Sequence, residues 1–121
     1  MDILFTADHE WLAIDGDTAR VGITDHAQSL LGDLVFVELP GVGREVERGS
    51  TVGTVESVKA ASDVYAPLTG TIIEVNSLAA ADPSIVNSDP MGAGWLFRIR
   101  FQHASELSNL LTADDYQSQV Q

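Results

Sequence analysis

The chain has 121 residues, 45% of them hydrophobic, with 18 acidic side chains against 6 basic ones and a formal net charge of −12. That length suits one domain, 1–121, with a modest core, and the charge excludes nucleic acid, whose phosphates require Lys and Arg, and an anionic membrane surface. The same charge serves plain solubility or steers a basic-rimmed partner toward the protein, while the lack of cysteine excludes a disulfide framework and a thiolate site.

In chain order, residues 10–23 hold two β-prone runs around Asp15-Gly16-Asp17, a hairpin signal. From Thr24 to Leu31 the period of two is lost. Thr24 or Asp25 can cap a short helix there, with Ala27, Leu30 and Leu31 on one face and Gly32 ending it. LVFVEL at 34–39 reads as a strand stopped by Pro40-Gly41, and GVGREVERGS as a turn-rich connection whose Arg44, Glu45, Glu47 and Arg48 form a solvated face of mixed charge. TVGTVESV at 51–58 is a strand. SDVYAPLTGTIIEV at 62–75 is strand broken at Pro67 and Gly70. Residues 76–90 read as loop, and WLFRIRF at 95–101 as the last strand. From Ala104 onward the sequence reads as helix, with Ser105 and Thr112 as caps and Asp114-Asp115 suited to a helix N-terminus. An internal echo, Gly53-Thr54-Val55-Glu56-Ser57-Val58 and Gly70-Thr71-Ile72-Ile73-Glu74-Val75, suggests two similar half-units with a lysine between them.

That lysine, Lys59, is the only one in the chain. Between two strands it falls at a hairpin tip, and such tips are exposed. Exposure keeps the amine solvated, which disfavours a Schiff-base nucleophile. The flanking Ser57, Ala60, Ala61 and Ser62 are small and leave room around the amine. On the residues alone two readings stand: an ordinary surface lysine, or an attachment point for an appendage with no competing ε-amine. His9, His26 and His103 lack metal-ligand spacing, and no G-x-S-x-G elbow accompanies Asp25, His26 and Ser29. Trp11 and Trp95 read as core or cleft-wall aromatics. MDILFTADHEW has no basic n-region, and no stretch reaches the length of a membrane span, so a cytoplasmic setting is expected.

ESVKA at 56–60, with SDVYAPLTG after it, resembles the lipoylation site of the glycine cleavage system H-protein family. HEWL at 9–12, VGITDHAQ at 21–28, LGDLVFVELPGVG at 31–43, VNSDP at 86–90 and GWL at 94–96 are similar to the family's other blocks, in the same order. Lipoyl domains of acyltransferases resemble the chain only around the hairpin, typically with Asp-Lys-Ala, and biotin carriers typically show Met-Lys-Met. The resemblance implies a mainly β fold, a barrel-sandwich hybrid of two antiparallel sheets with a short helix in the N-terminal half and a helix at the C-terminus. It implies lipoic acid in amide linkage to Lys59, which removes the lysine's charge and brings the sulfur that the chain lacks.

The activity implied is that of a monomeric carrier with no catalytic residue. It takes the aminomethyl group of glycine from the P-protein, a pyridoxal-phosphate decarboxylase, to the T-protein, and the flavoprotein L-protein reoxidises it. A lipoate ligase or a lipoyl/octanoyl transferase would modify it, and tethering raises the arm's effective concentration near its own surface. Matching the family motifs, Glu10, Ile23, His26 and Asp63 are candidate contacts of the loaded arm, a carboxylate suiting the amine's charge. Glu56 and Asp63, beside the tip, are candidates for recognition by the ligase or the decarboxylase. The rival readings are a detached lipoyl domain of another cycle, an enzyme using Lys59 or His26, and a donor that relays lipoyl groups to other proteins.

Overall fold

The computed structural model describes residues 2–120. Among them nine strands form two antiparallel sheets. The larger has the order β1-β2-β3-β9-β8-β5: β1 (Asp2–Phe5), β2 (Glu10–Asp15), β3 (Thr18–Ile23), β9 (Phe97–Phe101), β8 (Gly70–Val75) and β5 (Glu45–Val46). The smaller has the order β4-β6-β7: β4 (Leu34–Glu38), β6 (Thr51–Ser57) and β7 (Ala61–Tyr65). The expectation of a mainly β chain in two antiparallel sheets holds.

Alternation decides which face of each strand is buried. On β9, Phe97, Ile99 and Phe101 are buried while Arg100 is exposed and Arg98 half-buried. On β3, Ala19, Val21 and Ile23 enter the same core, and on the smaller sheet Val37, opposite Val55, and Val64 do so. Each buried Val, Ile or Phe among these contributes about 1.5–3 kcal/mol by leaving water. A second cluster, Phe5, Trp11, Ala13 and Tyr116, forms under the C-terminal helix α4 (Ala113–Val120).

The echoed glycines have a shared steric cause. A Cβ at Gly53 would sit 2.5 Å from the Glu38 carbonyl oxygen, and one at Gly70 would collide with the carbonyl oxygen of Arg100. In both sheets a neighbouring backbone approaches too closely for any side chain.

Several expectations need correction. Residues 76–90 are not loop throughout: α2 (Ser77–Ala81) and α3 (Ser84–Ser88) lie there. Each is five residues long and buries one side chain, Ala79 or Val86, too short a run to display a helical period. The segment from Ala104 is not one helix. A 3-10 helix spans Ala104–Asn109, and the chain then pairs in extended form with β1 before α4 begins, Phe5 and Leu111 exchanging backbone hydrogen bonds of 2.8 and 2.7 Å. Ser105 therefore caps nothing, and His103 precedes the 3-10 helix without a side-chain bond. Thr112 does accept from the Asp115 N–H at 3.2 Å. In α1 (Asp25–Leu31) Thr24 caps as expected and Gly32 follows at φ 84°, but Leu30 points outward, 59% exposed. The strands β1 and β5 were not foreseen.

Candidate functional site

The hairpin β6–β7 presents Lys59. Its turn closes with Ser57 N–H donating to the Ala60 carbonyl at 2.7 Å. The Ser57 hydroxyl oxygen also accepts from the Lys59 and Ala60 N–H groups, at 3.3 and 3.1 Å. A serine at the first turn position thus holds the backbone by local side-chain bonds, and Val58 and Lys59 stand out at the tip. Val58 is 87% exposed. Among the described residues no carboxylate lies within ion-pair distance of Lys59.

The lysine stem lies across the end of α1. A Cβ at Gly32 would stand 3.3 Å from Lys59 Cε and 3.8 Å from Nζ. The C-terminal end of a helix suits a cation, and the glycine leaves the stem its space. Asn87 fixes this corner. Its Oδ1 accepts from Leu34 N–H at 2.8 Å, and its Nδ2 donates to the Gly32 carbonyl and to Gln28 Oε1, both at 2.9 Å. One amide thereby ties α1, α3 and the start of β4 together.

Glu10 is the most perturbed acid of the described chain. It begins β2, opposite Ile23 of β3, and is 2% exposed. Its Oε2 accepts from Tyr65 N–H at 2.8 Å and its Oε1 from the Thr6 hydroxyl at 3.1 Å. Burial pushes its carboxyl up to about 8, against the opposing pull of those two hydrogen bonds, with Asp8 adding to the rise. The Tyr65 bond carries β2 of the larger sheet to the end of β7 of the smaller one. A tight turn sets this up: Thr6 Oγ1 accepts from the Asp8 and Glu10 N–H groups, both at 3.2 Å, and His9 takes φ 65°. A cavity of about 390 Å³ opens beside Glu10, walled by Thr6, Asp8, Tyr65, Pro67, Asn109 and Arg48. The Arg48 guanidinium reaches 3.9 Å from Glu106.

The other candidates lie around these two features. Asp63 is exposed on β7, opposite Thr54, between the tip and Tyr65. Glu56, half-buried, faces Ala61. Ile23 is 4% exposed and packs in the main core. His26 does not share the Glu10 cavity. It lines a different one of about 460 Å³ with Thr24, Met91 and Tyr116, and its ring lies 4.8 Å from that of His9. His9 Nδ1 and Thr24 Oγ1 both bond the Tyr116 hydroxyl, at 2.9 and 2.7 Å. Burial and the neighbouring His26 hold His9 below its usual range, Asp8 opposing, and burial raises Tyr116, the Thr24 bond opposing. Sequence reasoning missed Thr6, Tyr65, Asn87 and Tyr116. VNSDP and HEWL mark the neighbourhoods of Asn87 and Thr6, but no local pattern reveals partners 53 or 92 positions away.

Among the described residues no cluster of three or more His, Cys, Asp or Glu side chains could hold a metal. No described helix is long and apolar enough to cross a membrane.

A family model described as glycine cleavage H-protein matches residues 3–121. The chain is 55% identical over 115 residues to the glycine cleavage system H protein of Bradyrhizobium diazoefficiens, covering 95% of this chain and 94% of that one. It is 57% identical over 114 residues to that of Acidiphilium cryptum, covering 94% and 92%. A crystal structure of the glycine cleavage system H protein from Mycobacterium marinum superposes with a TM-score of 0.90 at 46% identity, covering 98% and 96% of the two chains. The two sheets thus build the barrel-sandwich hybrid expected from the sequence.

Proposed function

Because the chain belongs to the glycine cleavage H-protein family, we propose that Lys59 carries its lipoyl group and that the cavity at Glu10 receives the amine-bearing end of the arm. The family's role is the chain's role: a lipoyl carrier of the glycine cleavage system, with no catalytic step of its own. That system implies the P-, T- and L-proteins as partners.

The observation that carries the attachment reading is an exposed sole lysine on a turn stiffened by Ser57, with no carboxylate among the described residues pairing its amine. The group fits there. The turn's neighbours are small, and Gly32 leaves room for the stem. When bound, lipoic acid supplies the disulfide that this cysteine-free chain lacks. The chain's own residues do the rest. β7 leads from the tip through Asp63 to Tyr65, where Glu10 waits as a buried carboxyl. Its raised value keeps the proton on the Glu10 carboxyl at neutral pH. An arriving ammonium favours the ionised form, so Glu10 releases its proton and pairs with the cation. Ile23 holds the register that places Glu10, while His26 lines a separate cavity, its ring 4.8 Å from that of His9.

Glu56 and Asp63 help the enzyme that attaches the group, a lipoate ligase or a lipoyl/octanoyl transferase, or the decarboxylase recognise the tip. Unchanged lipoylation and glycine exchange in the double alanine variant would sink that part. The carrier works as a monomer in the cytoplasm.

The test of the attachment is intact mass after incubation with a lipoate ligase, lipoate and MgATP, followed by tryptic mapping. Lys59 is the only tryptic site between Arg48 and Arg98. The expected result is a lipoyl mass on an uncut Gly49–Arg98 peptide. Cleavage after Lys59 alongside an active ligase control refutes the reading.

A further inference from the structure

Four of the eight large exposed apolar residues among those described lie on the Lys59 hairpin, on the strand paired with it or on the helix whose end the lysine crosses: Leu30, Val35, Phe36 and Val58 are 59%, 57%, 48% and 87% exposed. Val35 and Phe36 are the unusual pair. On a regular strand two consecutive residues face opposite ways. Here the register of β4 against β6 slips between Leu34 and Phe36. The burial pattern accordingly runs inward at Leu34, outward at both Val35 and Phe36, and inward again at Val37. The irregularity turns two apolar side chains to solvent on an edge strand, which is where bulges re-aim side chains.

The surroundings of Phe36 are acidic. Phe36 lies opposite Glu56, three positions before Lys59, and Glu38 lies opposite Thr54, itself opposite Asp63. The strands of this sheet, LVFVE, TVGTVES and ASDVY, contain no basic residue. The face is thus an apolar centre in a rim of carboxylates, continuous with the tip.

We propose that Val35 and Phe36 are the apolar anchor for the enzyme that acylates Lys59, a surface with an apolar recess flanked by basic side chains. The inference rests on the attachment reading above. The choice among partners follows from reach. Enzymes that handle the far end of the arm meet it at a distance from the tip. The acylating enzyme must bring its activated donor to Nζ itself, so it presses on the residues beside the turn. In that step Nζ attacks the acyl carbonyl carbon of a lipoyl adenylate. The N–C bond forms, the C–O bond to AMP breaks, AMP leaves with the electron pair, and Nζ gives up a proton, with no change of oxidation state. The anchor contributes binding and takes no part in the chemistry.

The test is the steady-state rate of lipoylation by a lipoate ligase with lipoate and MgATP, read by intact mass. The Val35→Thr/Phe36→Thr double variant keeps β propensity and removes the apolar surface. It is expected to raise KM for the protein by roughly tenfold with little change in kcat, to melt like the parent, and to do so equally at high salt. Phe36→Leu is expected to restore most of the loss. Val42→Thr, which alters an apolar residue 64% exposed in the turn after Pro40, is expected to leave KM unchanged. An unchanged KM in the double variant, or an equal rise in Val42→Thr, overturns the anchor while leaving Lys59 as the attachment site. A parent chain that stays unmodified overturns the attachment reading, and the anchor with it.

Discussion

Replacing Glu10 by Gln separates the burial of this carboxyl from everything else at the site. The folded chain holds the proton up to about pH 8, whereas the unconstrained side chain releases it at 4.5. Below pH 4.5 both states keep the proton and burial of the group costs nothing ionic. From 4.5 to about 8 the unfolded chain binds fewer protons than the folded one, so stability falls by ~1.4 kcal/mol per pH unit. Above that window both states are ionised, and the loss levels off at about 5 kcal/mol, an order-of-magnitude figure obtained from the 3.5-unit gap. At pH 7 roughly 3 kcal/mol of it has accrued. A Gln oxygen accepts from Tyr65 N–H as Oε2 does, and its amide serves Thr6 after the hydroxyl rotates. Glu10→Gln is therefore expected to match the parent near pH 4.5 and to exceed it at pH 7. The assay is urea unfolding of both chains at pH 5, 6, 7 and 8. Parallel stability profiles would refute the reasoning, since they would mean that Glu10 gives up its proton as readily folded as unfolded.

Three further outcomes are expected. His9→Asn keeps a residue that tolerates φ 65° and flattens the acid limb of the profile; because His9 is held below 6.5, the parent loses this contribution as pH falls below that value, and urea melts at pH 5 and 7 read the difference. Asn87→Ala leaves the Leu34 N–H and the Gly32 carbonyl without their partner and costs ~2–3 kcal/mol, with faster hydrogen exchange at Leu34. Gly70→Ala drives a Cβ into the backbone of Arg100 and Phe101 and costs about 2–3 kcal/mol, read by thermal melting.

The strands that alternate strongly were legible in the sequence because their period is set by the sheet itself. WLFRIRF gave β9 by its alternation, LVFVEL gave β4 as a short apolar run stopped by Pro40-Gly41, and Asp15-Gly16 gave the β2–β3 hairpin, with Gly16 at φ 63°. Lys59 was legible for two reasons: it has no competitor in composition, and its turn is made by its immediate neighbour Ser57. What stayed hidden depends on distant partners. β1 exists because β2 and Leu111 pair with it on either side. α2 and α3 are too short to show a period. The Glu10 environment needs Tyr65, 55 positions away, and the Tyr116 network needs Thr24, 92 positions away. Short-range pattern carries strand and turn; the burial that perturbs an acid is a property of the assembled sheets.

That division also bears on the role proposed for Glu10 in a chain of net charge −12. Its exposed acids, Glu38 and Asp63 among them, face water of high dielectric and salt, where one more cation gains little. Glu10 is buried, and burial favours its protonated form, so the resting carrier need not hold a buried charge there. A cation at the same place changes the balance twice, by pairing with the carboxylate and by making its ionisation favourable. An uncharged group gains neither. On the proposed reading, the cavity favours an amine over a bare arm. On that reading the discrimination rests on one buried carboxyl held by Thr6 and Tyr65 more than on the number of acids on the surface.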